Sequence, residues 1–77
     1  MVERLILVDS SNPAESHTLE GGVPIYALIG YARVVGGDVE RIAGAYHLSL
    51  ESVRAAVAYY ERNRAAVDAF LSANDAA

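Results

Sequence analysis

Residues 38–64 read DVERIAGAYHLSLESVRAAVAYYERNR, and this stretch decides the fold. Asp38 is a good N-cap. After it Val39, Ile42, Ala43 and Tyr46 recur at the spacing that puts them on one face of a helix. His47 and Leu48 make a tight turn, and Ser49 is a second N-cap. From there Val53, Ala56, Val57, Tyr60, Val67, Phe70 and Leu71 form an apolar stripe. The stripe places Tyr60 in the core and Tyr59, about 100° round the helix, beside an interface. Two helices of about nine and at least fourteen residues joined by such a turn give a helix-turn-helix pattern.

Upstream, YALIGYARVV over residues 26–35 reads as another helix stopped by Gly36-Gly37. Leu5-Ile6-Leu7-Val8 reads as a short strand running into the turn-prone Asp9-Ser10-Ser11-Asn12-Pro13. Residues 14–22 read as loop, and Val23-Pro24-Ile25 as a second short strand kept to an edge by Pro24. The expected fold class is mainly α: a helix-turn-helix domain of three to four helices with one or two short N-terminal β-strands. It is one domain, with a strand and loop arm over 1–25, a helix-turn-helix core over 26–64 and a helical extension over 65–77.

Neither proline nor glycine interrupts residues 49–77. A helix continuous to Asn74 would be about 37 Å long at 1.5 Å per residue. A globule of this length is roughly 23 Å across, so the end of such a helix would project. A break near Asn63, with the tail folded back as a fourth helix, is the other reading.

The chain has 77 residues, no cysteine and a formal charge of −4, so no disulfide or cysteine-based metal site braces it. The charge also excludes a uniformly basic surface that grips nucleic acid by field alone. Its distribution is uneven. Residues 1–37 carry two arginines and four acids, residues 38–64 four of each, and residues 65–77 two acids and no base. The middle third is therefore the least repulsive region for a polyanion. The longest apolar run near the start is four residues, too short for a signal segment or a bilayer span, so a soluble cytoplasmic protein without membrane contact is expected.

Catalytic chemistry finds no foothold. His17 and His47 have no partners at metal-ligand spacing, neither glycine pair forms a phosphate loop, and Asp9-Ser10-Ser11 reads as a turn. No enzyme, metal or cofactor is expected. The helix-turn-helix pattern instead turns Glu51, Ser52, Arg54, Ala55 and Ala58 outward, with Arg54 as the side chain able to read a guanine and Arg41, Ser49 and Ser52 as phosphate contacts.

Residues 20 to about 70 resemble the bacterial domain-of-unknown-function family 433, which is regarded as antitoxin-like. Gly36, Asp38, Glu40, Ile42 and Tyr46 echo the family's second helix, and Leu48-Ser49 its leucine-threonine turn with one residue fewer. Val53, Ala55, Ala56, Val57, Ala58, Tyr59 and Tyr60 follow its V-x-A-A-L-A-Y-Y run, and Arg64, Val67, Asp68 and Ala69 the segment after it. Departures lie at Gly22, where the family has an arginine, at Asn63 for a histidine, and at Ala65 and Ala66 for two glutamates.

The resemblance implies an antitoxin of a type II toxin–antitoxin system. Such a protein would be a homodimer that neutralises a PIN-like ribonuclease toxin and represses its own promoter by binding operator DNA. The apolar C-terminal segment would lie on the toxin through Arg64, Val67, Asp68, Phe70 and Leu71, with Asp68 or Asp75 pairing basic groups there. The alternative is a homo-oligomeric interaction module that binds neither DNA nor toxin.

Overall fold

The computed structural model describes residues 2–76, with side chains from residue 4 to residue 73. Three two-residue strands come first: β1 (Val2–Glu3), β2 (Ile6–Leu7) and β3 (His17–Thr18). They form an antiparallel sheet in the order β1-β2-β3, with Glu3 opposite Ile6 and Ile6 opposite Thr18. Four helices follow: α1 (Ile25–Val34), α2 (Val39–Tyr46), α3 (Leu50–Arg62) and α4 (Arg64–Ala76). The chain is mainly α with N-terminal strands, as its periodicity predicts.

Local chemistry explains most boundaries. Asp38 accepts hydrogen bonds from the Glu40 and Arg41 N–H groups, so it caps α2 as expected. Ser49 caps α3 by accepting from the Ser52 N–H at 3.1 Å. Gly36 takes φ +66° just past α1, and the Gly37 N–H reaches back to the Ala32 carbonyl, closing the helix in the left-handed manner.

The turn between α2 and α3 uses the same device without a glycine. His47 sits at φ 56°, and the Leu48 N–H donates to the Ala43 carbonyl at 2.9 Å. Left-handed geometry costs an L-residue about 1–2 kcal/mol. His47→Gly is therefore expected to raise stability by about 0.5–1 kcal/mol, whereas His47→Val lowers it, as thermal melts of the exposed-site variants would show.

The N-terminal arm differs from its expected form in detail. The strand read over Leu5–Val8 shortens to Ile6–Leu7, with Leu5 in the preceding turn at φ 70°, and β1 and β3 make the sheet three-stranded. Val23-Pro24-Ile25 is not a strand: Pro24 makes one bridge to His17 and then serves as N-cap of α1, accepting from Ala27 and Leu28. Its fixed φ of −63° and missing N–H suit a helix start better than a ladder. Residues 14–22 are more ordered than a loop. A 3₁₀ turn over Pro13–Glu15 precedes β3, and Ala14, Ser16 and Thr18 are fully buried. Thr18 then closes the following turn by accepting from the Val23 N–H through its hydroxyl.

At the other end the chain takes the broken-helix route. Helix α3 stops at Arg62 and α4 starts at Arg64, so no single helix runs the roughly 37 Å that about 25 residues would span. Asn63 ends α3 by donating its side-chain amide to the Tyr59 carbonyl at 2.9 Å, and its own carbonyl accepts from the Val67 N–H to start α4. The helix then folds back. Val67 is completely buried, Phe70 packs on Tyr26 with ring centroids 4.9 Å apart, and Asp68 accepts from Arg33 on α1 and Tyr60 on α3. The C-terminal third does not project.

One core joins these parts. Ile6 from the sheet, Ala14 from the 3₁₀ turn, Ile25, Leu28 and Ile29 from α1, Ile42 from α2, Val53, Ala56 and Tyr59 from α3 and Val67 from α4 all meet in it. The tyrosines are the reverse of the stripe reading: Tyr59 is buried and Tyr60 is half-exposed. Both lie within the broad apolar band of α3, and the buried Ser16 hydroxyl, 2.9 Å from Tyr59 Oη, fixes which one sits at its centre.

Candidate functional site

Helix α3 buries Ser52, Val53, Ala56 and Tyr59. The opposite side is left with Glu51, Arg54, Ala58 and Arg62 exposed and Ala55 half-buried between them. Residues 54, 58 and 62 recur every four positions, so they stand in a row one turn above another. The tight turn between β1 and β2 brings a further side chain to this row. Arg4 and Leu5 both have positive φ, 27° and 70°, and the turn they form holds Arg4 Nη2 3.7 Å from Glu51 Oε1.

Together Arg4, Glu51, Arg54, Ala55, Ala58 and Arg62 line an open trough of ≈ 710 Å³. Among the described residues three guanidiniums face one carboxylate there. The Arg4–Glu51 pair is largely solvated on both sides and contributes little to stability. Arg54 makes no ion pair among the described residues. The Arg62 guanidinium lies 6.0 Å from the Tyr59 ring centroid, over its face. No family model, curated protein or solved structure matches the chain. The trough and the residues round it must therefore speak for the function.

The expected DNA contacts do not all come together. Arg54 lies in the trough, but Arg41 is on α2, outside its lining, with Nε 3.9 Å from Asp38 Oδ2. Ser52 faces inward and is only 2% exposed, so it is no phosphate contact. Its hydroxyl lies 3.1 Å from that of Ser49.

Ser49 is itself occupied. The loop of residues 19–22 carries Glu20 onto the start of α3, where Glu20 Oε1 accepts from the Ser49 N–H at 2.8 Å and lies 3.1 Å from its hydroxyl. A carboxylate thus takes the place at the helix N-terminus that a phosphate would use. The polar-outward reading missed this because Glu20 is remote in sequence from Ser49.

Glu20 is held below the ordinary glutamate range, first by the Ser49 backbone donor and then by the Ser52 and Ser49 hydroxyls. A carboxyl whose folded pKa is depressed contributes stability that is complete above its ordinary value and fades as pH falls through the folded one. The difference in Tm between the wild type and Glu20→Gln is expected to be widest near neutrality, to start narrowing below about pH 4.5, the unperturbed value, and to close only as pH falls through the lower folded value. A gap that persists unchanged in acid would show that the charge is not what holds this cap.

The five C-terminal candidates do share one helix, yet most serve the chain itself. Val67 is spent in the core, Asp68 bridges α1 and α3, and Phe70 and Leu71 are half-buried among the core's neighbours. Val67 therefore presents no surface to a partner, because α4 folds back instead of projecting. Arg64 is exposed and paired with Glu61, with its guanidinium 5.4 Å from the Tyr60 ring centroid. The Asp75 side chain lies outside the described residues. A second depression, ≈ 350 Å³ and lined mainly by apolar side chains such as Ile29, Val39, Ile42 and Val57, opens where α1, α2 and α3 meet. Among the described residues no group of three or more metal-ligating side chains gathers, and no helix is long and apolar enough to cross a membrane.

Proposed function

We propose that the chain is an antitoxin-like binding protein, related to the domain-of-unknown-function family 433, that neutralises a PIN-like ribonuclease by protein contact and represses its own promoter. The observation that carries the reading is the α2-turn-α3 unit with its arginine-lined outer face. Asp38 and Ser49, both aligned with that family's pattern, cap its two helices. Tyr59 and Val67, also in the pattern, fill its core.

Neutralisation would be steric. Arg64 and the exposed edges of Phe70 and Leu71 form the rim of α4 that a toxin would meet. Val67 from the core and the half-exposed Asp68 through Arg33 and Tyr60 hold the helix in position. Promoter binding would use α3 in a cytoplasmic homodimer, since one acidic protomer has few phosphate contacts and two half-sites one helical turn apart multiply them.

Co-expression with a PIN-like nuclease encoded beside this chain tests the toxin arm. Growth rescue and co-purification are expected, and Arg64→Glu should weaken co-purification while the circular dichroism of the free chain stays unchanged. Toxicity undiminished by the wild-type chain would overturn the antitoxin reading. A stable homodimer that binds neither nuclease nor promoter would favour the interaction module instead.

A further inference from the structure

We propose that Arg4, Arg54 and Arg62 form a clamp for the sugar–phosphate backbone of a nucleic-acid strand lying in the trough along α3. This rests on the promoter half of the proposed function, and it changes the role of α3 from base reading to backbone holding.

Half of the six arginines of a chain with net charge −4 converge on one trough that contains a single acid among the described residues. Arg54 has no ionic partner among the described residues, and the Arg4 side chain is 78% exposed. Arg54 and Arg62 are eight residues apart on one helix, about 12 Å along its axis. A nucleic-acid strand carries a charge about every 3.4 Å of helix axis, so several phosphates fall within that span. Guanidinium forks match phosphate oxygens in pairs, and Arg4 approaches the same line from the strand turn beside Glu51.

The floor decides between readout modes. Ala55 and Ala58 are small enough to let a backbone lie close, and they carry no side-chain donor or acceptor to address a base edge. The surface is also concave, whereas insertion into a major groove needs a protruding helix. A trough with charged walls and a methyl floor positions phosphates and is indifferent to sequence. An acidic protein segment is the poorer occupant, because protein partners anchor through large apolar or aromatic side chains and this floor has no pocket for one. Glu51 restrains Arg4 and repels phosphate, so it keeps the binding weak.

Fluorescence anisotropy with a labelled single strand of mixed sequence, and with its duplex, tests the clamp on the full chain. At physiological salt, dissociation constants of about 10⁻⁴–10⁻⁶ M are expected, tighter at low salt and similar for unrelated sequences. Arg54→Ala should weaken binding about three- to tenfold and flatten the salt dependence by about one unit of slope, as loss of one phosphate contact does. Glu51→Gln should tighten it. Arg62 also packs over Tyr59, so melts accompany Arg62→Ala, and Arg4→Ala/Arg54→Ala is the decisive variant because both residues are exposed.

Binding that this double variant keeps in full would overturn the clamp and leave promoter recognition elsewhere on α3 intact. Selective loss of one preferred sequence in Arg54→Ala would overturn it in favour of base reading. No binding of either nucleic acid up to about 1 mM, far above the range for non-specific contacts, would overturn both the clamp and the promoter reading and leave the toxin arm untouched. Tighter capture of polyglutamate than of the strand would assign the trough to an acidic protein segment.

Discussion

An aspartate in place of Val67 is expected to undock α4 and to cost the chain its native fold at ambient temperature. Val67 is completely buried, in a cluster with Ile25, Leu28 and Tyr59. A carboxylate there would have neither water nor a cation, a loss of several kcal/mol after relaxation. Total stability for a chain of this length is about 4–12 kcal/mol at the usual 0.05–0.15 per residue, so one such charge removes most of it. Val67→Ala is the milder companion, expected to cost about 2 kcal/mol through lost transfer energy and a small cavity. Thermal and urea melts measure both. Were α4 projecting toward a partner, the aspartate would change stability by no more than about 0.5 kcal/mol, the usual scatter of surface substitutions.

The outcome matters for function because the same residue would be indispensable under two unlike accounts. In a protruding helix Val67 would contact a toxin and matter only in the complex. In the folded-back helix it matters to the free protein, and loss of neutralisation in a Val67 variant would follow from unfolding. Deleting residues 65–77 is ambiguous for the same reason, since it strips Val67 from the core and Asp68 from Arg33 and Tyr60. Charge reversal at Arg64, which is exposed and outside the core, separates contact from stability.

What the sequence discloses here is what its neighbours within a turn decide. Asp38 and Ser49 are readable as caps because the groups they bond are two or three residues away. The stop at Gly36-Gly37 is readable for the same reason. The break at Asn63 is readable only as one of two alternatives, because the cap chemistry is weak on its own and the docking of Val67 against distant elements tips the balance. Glu20 and Ser49 are 29 positions apart, so no local pattern announces that one satisfies the other. The trough shows this limit most clearly. Arg54 and Arg62 can be placed on one face of α3 by counting. Arg4 reaches them only through a turn built on Arg4-Leu5, where the usual Asn-Gly signal for positive φ is missing.

Tyr59→Ala is the second large expected effect, and it tests the reversal of the two tyrosines. The Tyr59 ring is 3% exposed, and its hydroxyl lies 2.9 Å from Ser16 Oγ, which also accepts from the Asp9 N–H at 2.8 Å. That contact ties α3 to the segment between β2 and β3. Removing the ring should cost about 3–5 kcal/mol, as deletion of buried aromatic side chains does. Tyr59→Phe should cost about 1 kcal/mol, because it takes only the hydroxyl and the Asp9 donor keeps its acceptor. Tyr60→Ala, at a half-exposed position whose hydroxyl donates to Asp68, should cost less than Tyr59→Ala; the opposite ranking would restore the stripe reading. The phenylalanine variant also separates fold from site. It keeps the ring under the Arg62 guanidinium, so the trough's wall stays in place. Its nucleic-acid binding should then match the wild type even though its melt comes earlier, whereas Tyr59→Ala should lose both together.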